Sequence, residues 1–301
     1  MPANILDGRA LARRLRERIA EETAKLRIEH RILPGLAAVL VGDDPASRIY
    51  VDNKHRACEA VGMYSRQIKL PSSTRPEQLD STIEELNADP AIHGILVQLP
   101  LPPLLNPEHV QERLDPDKDV DGLHPVNGGR LLRGTPTFIP CTPYGVLEIL
   151  RDAQVDLKGA RVVIVGRSIL VGRPLAVLLS LKGIDATVVQ THSRTVDLRE
   201  ECARADVLVV AVGIPRLVTS TWVKPGAVVI DVGVNRLPDG TLTGDVAFED
   251  VSRVAGAITP VPGGVGQMTI AMLLQNTLEA ARAQNGLPRR PLEAITTAHV
   301  P

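Results

Sequence analysis

Lys54 stands at a position where a lysine needs a reason. Asp44 and Pro45 read as an N-cap followed by a first-turn proline, so a helix should begin there. Tyr50, Lys54, Ala57 and Val61 then fall at i, i+4, i+7 and i+11 on one face. Lys54 interrupts an otherwise apolar stripe, in a chain where only seven of the 34 basic residues are lysines. A desolvated lysine has a lowered pKa and exchanges protons near neutral pH, which an arginine cannot do. Taken alone, the helix equally allows a lysine that covers apolar surface with its stem and carries its ammonium out to water. Two other segments offer partners. The run HGILVQLPLPP carries Gln98 at its end, and the ends of parallel strands are where α/β sheets build sites. The loop DPDKDVDGLHP places Asp119 and Asp121 just beyond. An amide and a carboxylate at one rim can fix a heteroaromatic substrate; a solvated acidic loop is the plain alternative.

A second constellation suits a dinucleotide. RVVIVG leads into Arg167, Ser168, Ile169, Leu170, Val171, Gly172, Arg173 and Pro174, and then into the helical LAVLLSLKG. Gly166 allows a tight turn, Gly172 a close approach, and the amides at the helix start can attract phosphate. The spacing G-x-S-x-x-x-G is a variant of the dinucleotide fingerprint, and a tight turn with no ligand has the same form. At the end of the next strand an NAD site usually offers an acid to the ribose; here the chain reads Thr191, His192, Ser193, Arg194, Thr195. A hydroxyl beside a guanidinium, with Arg173 contributing from the glycine turn, suits a 2′-phosphate, so NADP is favoured over NAD. The other reading of Arg173 and Arg194 is solvated surface charge.

The elements that must hold these residues alternate between strands and helices. The first half reads as strands at 35–42, 64–70 and 93–99 with helices at about 45–61 and 76–88. The second half reads as strands at 161–166, 186–190, 206–213 and 227–234. Continuous Val/Ile/Leu runs separated by helices require parallel sheets covered on both faces. A Pro-rich passage from Pro100 to Pro143 interrupts the alternation, and its prolines favour extended chain. The expected organisation is two α/β domains around a cleft, the second a Rossmann-type NADP-binding domain. Residues 1–140 with the C-terminal helix 268–301 are expected to form the first domain and 141–267 the cofactor domain. The last helix, roughly 267–284, is expected to pack back on the first domain, and the tail beyond Leu287 to fray.

Composition narrows the function classes. At 301 residues and 44% hydrophobic, the chain can bury more than one core. A formal net charge of -1 leaves no basic stripe for nucleic acid or an anionic membrane. Three widely spaced cysteines, Cys58, Cys141 and Cys202, form neither a disulfide framework nor a metal motif, and no apolar run approaches the roughly 20 residues that span a bilayer. A cytoplasmic, metal-free enzyme acting on a small molecule is expected.

With these motifs in view, the chain resembles the methylenetetrahydrofolate dehydrogenase/cyclohydrolase family. The resemblance runs through PASRIYVDNKHRAC, GILVQLPLP, DKDVDGLHPVNGG, PCTPYGVLEIL, VVIVGRSILVGRPLA, VVIDVGVNR and TPVPGGVGQMTIAML, in the family's order and across almost the whole chain. It implies oxidation of 5,10-methylenetetrahydrofolate with NADP, hydrolysis of the methenyl product to 10-formyltetrahydrofolate, a place in tetrahydrofolate interconversion and purine biosynthesis, and a homodimer. Carried over by position, Lys54 is the catalytic lysine held by Gln98, Tyr50 stacks on the substrate rings, and Asp121 binds the pterin's amino edge. Val97, Leu99 and the segment Pro262, Gly263, Gly264, Val265 and Gly266 are further substrate positions. Gly166, Arg167, Ser168, Ser193 and Val234 match cofactor positions. The chain departs from the family at Gln267, where proline is common, and at Ile169, where the turn often reads GRSNIVG. Two other readings are an NADP-dependent dehydrogenase of another small molecule and a folate or dinucleotide binder without catalysis.

Overall fold

The computed structural model describes residues 2–289. In chain order the strands are β1 (Asn4–Ile5), β2 (Gly35–Val41), β3 (Tyr64–Leu70), β4 (Gly94–Val97), β5 (Arg161–Val165), β6 (Thr187–Thr191), β7 (Val207–Val210), β8 (Val228–Asp231), β9 (Asn235–Arg236), β10 (Leu242–Thr243) and β11 (Ala257–Ile258). The helices are α1 (Gly8–His30), α2 (Pro45–Ala60), α3 (Pro76–Ala88), α4 (Pro107–Arg113), α5 (Pro125–Leu132), α6 (Cys141–Asp152), α7 (Gly172–Leu179), α8 (Leu198–Ala203), α9 (Phe248–Val251) and α10 (Val265–Gln284). No helix among the described residues is long and apolar enough to cross a membrane.

The chain forms two units, one of Met1–Arg13 with Thr142–Thr269, the other of Arg14–Cys141 with Ile270–Pro301. The first thirteen residues therefore depart from the expected division, which placed them in the first domain. The physical reason is β1, which pairs in parallel with β11 and so extends the sheet of the cofactor unit.

In the unit of Arg14–Cys141 and Ile270–Pro301, three parallel strands run in the order β3-β2-β4. All seven residues of β2, GLAAVLV, are buried, as a central strand covered on both faces requires. Ala37, Val39 and Val41 pack on one face with Leu79, Ile83 and Leu86 of α3 and Val110 of α4. The edge strand β3 keeps Arg66 and Lys69 on its length, which discourages further pairing. Across β4, a Cβ on Gly94 would meet Val120 at 2.6 Å and the Thr277 hydroxyl at 3.2 Å, so α10 and the 118–124 loop lie directly on the strand.

The Pro-rich passage is not simply extended. It contains α4 and α5, each opened by a proline at its first position and capped by the side chain before it. Asn106 accepts from the Glu108 amide, and His124 from the Val126 amide. The tail is tied down as far as residue 289: Arg282 donates to Pro288 O at 3.2 Å, and the Arg289 guanidinium lies 5.1 Å from the Phe138 ring centroid. The rest of the expected frayed tail lies outside the described residues.

The other unit carries a six-stranded parallel sheet in the order β1-β11-β8-β7-β5-β6, with the antiparallel pair β9 and β10 beside it. Val163, Val165, Leu208, Val210, Val229 and Ile258 form the core on one face, and Val162, Ile164, Val207, Val209 and Ile230 are equally buried. From β5 the chain steps outward to β6 and then returns to the other side of β5 as β7. The strand order therefore reverses between β5 and β7, the place where open α/β sheets bind ligands.

Candidate active site

Asp44 opens α2 as anticipated. Its carboxylate accepts from the Ser47 amide at 2.7 Å, and Pro45 takes the first helical position. The buried stripe of α2 is Ser47, Val51 and Cys58, continued by Val61 beyond its end. Lys54 occupies the place between Val51 and Cys58 where this stripe is open, and Tyr50, one turn earlier, is 47% exposed. The apolar face thus runs one position away from Tyr50, because helical spacing brackets Lys54 with Val51 and Cys58.

Lys54 Nζ donates to Gln98 Oε1 at 2.9 Å. Gln98 follows β4, its backbone amide bonded to Val39 O at 2.9 Å, and its side-chain amide donates to Leu99 O at 2.6 Å. That second bond turns the carboxamide oxygen towards the lysine. Burial lowers the Lys54 pKa, with the Asp121 charge acting in the opposite direction. Cys141, at the start of α6, lies against Asp121. Burial and the Asp121 carboxylate push its thiol pKa well up, so it is an uncharged thiol. Lys54, Gln98, Asp121 and Cys141 thus share one polar cluster just beyond β4, where Val97 and Leu99 adjoin Gln98 in the chain.

Two residues hold this cluster that sequence reasoning did not assign to it. Asp119 shares the loop of Asp121, yet it is buried and faces its own loop rather than the rim. It accepts from the amides of Leu123 and His124 at 3.2 and 2.8 Å and from Asn127 Nδ2 at 2.8 Å. Burial pushes its pKa up to about 6 despite these donors. Asn276, buried on α10, donates from Nδ2 to Val120 O and Ile139 O at 2.8 and 2.9 Å. Asp121 is therefore carried on a loop clamped on both sides. The spacing DVD hints at Asp119; nothing in the sequence marks Asn276, whose partners lie more than a hundred positions away.

In the other unit the turn after β5 has the geometry its glycines suggest. Gly166 has φ +133°, a Cβ on it would overlap Ala211 O, and one on Gly172 would overlap Gly166 O. The Ser168 hydroxyl accepts from the amides of Val171 and Gly172 at 3.1 and 3.4 Å, closing the turn, while Arg167, Ile169 and Arg173 are exposed. The segment after β6 folds on itself through His192 N to Thr195 Oγ1 at 2.9 Å and Arg194 N to His192 Nδ1 at 3.1 Å, leaving Ser193 and Arg194 exposed at its tip. Neither Arg173 nor Arg194 is in an ion pair among the described residues. Val234, after β8, is 47% exposed.

The segment Pro262–Gly266 leads into α10. Gly263 O accepts from Arg9 N at 2.9 Å, and Gly264 packs against Gly8 closely enough that a Cβ there would overlap its carbonyl. Gln267, where the family favours proline, uses its amide to bond Gly264 O at 3.4 Å.

The catalytic-domain model of tetrahydrofolate dehydrogenase/cyclohydrolase matches residues 6–121, and the NAD(P)-binding-domain model of the same family matches residues 140–285. The bifunctional protein FolD of Phenylobacterium zucineum (strain HLK1) is 54% identical over 297 residues, 95% of this chain and 99% of its own. The bifunctional FolD methylenetetrahydrofolate dehydrogenase/cyclohydrolase of Campylobacter jejuni has a TM-score of 0.91 at 44% identity, covering 94% of this chain and 99% of that one. The Trypanosoma brucei N5,N10-methylenetetrahydrofolate dehydrogenase-cyclohydrolase, solved with NADP and an inhibitor, has a TM-score of 0.90 at 39% identity over the same shares. The chain belongs to the tetrahydrofolate dehydrogenase/cyclohydrolase family.

Proposed function

We propose how the residues divide the two reactions of this enzyme, which oxidises 5,10-methylenetetrahydrofolate with NADP and hydrolyses the methenyl product to 10-formyltetrahydrofolate. The observation that carries the division is the Lys54–Gln98 hydrogen bond beside Asp121, a proton-transfer group with its partner at the end of a parallel sheet.

The cofactor unit fits a dinucleotide. The cradle at Gly166 and Gly172 leaves no room for side chains, and exposed Arg173, Ser193 and Arg194 supply the cationic and hydroxyl groups that a 2′-phosphate needs. Arg167, Ser168 and Val234 are assigned to the same ligand. When bound, NADP supplies the hydride acceptor. Departure of hydride from the methylene carbon leaves a cation shared by its two flanking nitrogens, so this step asks the protein for orientation rather than for a strong base. Tyr50 offers a ring for stacking, and the Asp121 carboxylate accepts from the pterin's amino edge. Val97 and Leu99 are assigned further folate contacts.

Hydrolysis asks for proton movement. Water adds its oxygen to the cationic carbon, and Lys54, as an amine, takes the proton that water releases. The resulting ammonium gives it to the departing nitrogen as that carbon–nitrogen bond breaks, and the remaining hydroxyl proton leaves to solvent as the formyl group forms. Gln98 keeps the Lys54 nitrogen in place through both transfers. Cys141, being uncharged, adds no negative charge beside Asp121.

The test follows absorbance of the purified protein with methylenetetrahydrofolate and either NADP or NAD. Formation and then decay of the methenyl species with NADP is expected. No methenyl formation with either dinucleotide overturns the reading. The proposal extends to a cytoplasmic homodimer that binds neither nucleic acid nor membrane, and light scattering tests the dimer.

A further inference from the structure

Asp231 and Asp245 are buried together in the cofactor unit, 3% and 0% exposed. Asp231 ends β8. Its Oδ1 accepts from the amides of Gly233 and Asp245, each at 3.0 Å, and its Oδ2 from the Val246 amide at 3.0 Å. Asp245 Oδ2 accepts from the amides of Val212 and Gly213 at 2.7 and 2.9 Å, and its Oδ1 from Asn235 Nδ2 at 2.8 Å. Both carboxylates are thus fully engaged by the protein's own donors and are not a place for an ion.

The two acids and two glycines are reciprocal. A Cβ on Gly233 would overlap the Asp245 carboxylate, and a Cβ on Gly244 would overlap the Asp231 carboxylate. At these glycines the demand is for space rather than for an unusual backbone angle. The runs DVG at 231–233 and GD at 244–245 therefore form one clasp, each glycine making room for the other segment's acid.

The clasp grips the segments that border the strand-order reversal. Val212 and Gly213 follow β7, and the carbonyl of Ala211 just before them is the atom against which Gly166 packs. Val234 stands between Gly233, bonded to Asp231, and Asn235, bonded to Asp245. We infer that Asp245, backed by Asp231, is a positioning residue for the dinucleotide: it fixes the Val212–Gly213 turn and the Val234 segment against the Gly166 turn. This rests on the reading of that unit as the NADP site.

The test compares Asp245→Ala with Asp245→Asn. Alanine removes three accepted bonds. Asparagine keeps an oxygen for the two amides, and its new amide group can face Asn235 once that carboxamide reverses. For Asp245→Ala the NADP KM is expected to rise about ten-fold or more, as misplacing a positioning element does. Hydrolysis of methenyltetrahydrofolate, assayed without dinucleotide, should stay near wild type, and Asp245→Asn should restore most of the NADP affinity. An unchanged NADP KM in folded Asp245→Ala overturns the inference, as does an equal loss of hydrolysis. If that variant does not fold, Asn235→Ala decides: a raised NADP KM supports the clasp, and an unchanged one overturns it. Failure of the wild-type protein to use NADP would instead overturn the dinucleotide reading itself.

Discussion

Lys54 Nζ donates to an oxygen of Gln98 whose orientation is set by a second bond, from Gln98 Nε2 to Leu99 O. The lysine is thereby aimed by a side chain that cannot readily reverse, since turning the carboxamide would break the Leu99 bond and present a donor to a donor. This arrangement suits a group that must carry a proton both ways. An amine and an ammonium can each donate to the same oxygen, so the partner is kept through the cycle.

Lys54→Met should abolish most cyclohydrolase activity while leaving NADP binding nearly intact. Loss of a positioned acid/base group costs roughly a hundred-fold or more. Stopped-flow decay of methenyltetrahydrofolate measures the first and dinucleotide titration the second. Wild-type-like hydrolysis in the variant would remove Lys54 from the mechanism.

The same variant should be at least as stable as the wild type near neutral pH. Burial lowers the folded-state pKa of Lys54 below its ordinary 10.5. Between the lowered value and 10.5 the unfolded chain holds one more proton, so wild-type stability rises with pH across that window. Below it the full cost of the buried ammonium is present. Methionine removes that cost, offset by about 1 kcal/mol for leaving the Gln98 oxygen without its donor. Urea denaturation at neutral and alkaline pH should show the variant's advantage shrinking as pH rises. An advantage that grows would contradict a lowered pKa.

Gln98→Glu tests the partner. A carboxylate at hydrogen-bond distance from Lys54 favours the ammonium and raises its pKa. The limb of the cyclohydrolase pH profile assigned to Lys54 should move to higher pH, with activity at neutral pH reduced. An unmoved limb would show that the observed titration belongs to another group.

These strands could be read directly, because β2 and β7 are continuous apolar runs, β5 and β8 are apolar but for Arg161 and Asp231 at their ends, and each lies within its expected range. The helices α4 and α5 could not, since a proline that favours extended chain is also the residue that opens a helix behind Asn106 or His124, and local sequence does not separate the two. The strands β1 and β11 are two residues each, too short for any periodicity, and exist through pairing with distant partners. At the site, Lys54 stands out as a lysine interrupting the apolar stripe of α2, Gln98 as an amide just past β4, and Asp121 as a carboxylate in the loop beyond. Asn276 and the Asp231–Asp245 clasp did not. Their roles are hydrogen bonds to backbone atoms far along the chain, which leave no local pattern.

Arg194→Ala should reduce the preference for NADP over NAD by roughly ten-fold, the effect of losing one charge-assisted bond to phosphate. Arg194 is exposed at the tip of its turn, so the fold should tolerate the change. Steady-state kinetics with both dinucleotides give the ratio. An unchanged ratio would leave Arg194 as surface charge and transfer the selectivity to Ser193 or Arg173.

Asp119→Asn separates the scaffold of the site from its chemistry. Burial raises the folded-state pKa of Asp119 from 3.8 to about 6, although Asn127, His124 and Leu123 all donate to it. Below 3.8 the carboxyl is protonated in both states and no difference arises. As pH rises towards 6 the unfolded chain ionises first, so the wild type loses stability across that window; above it the cost is constant. Asparagine does not titrate, and turning one amide group towards the loop's donors costs a fixed amount at every pH. The difference in denaturation midpoint between the two proteins should therefore move in the variant's favour from pH 4 to pH 7, by an amount set by those two pKa values. Parallel pH dependence would show that Asp119 stays ionised in the fold. Because the loop also carries Asp121, the folate KM should rise in the variant while the NADP KM stays put, and a change confined to the NADP KM would contradict the role of Asp119 in holding Asp121.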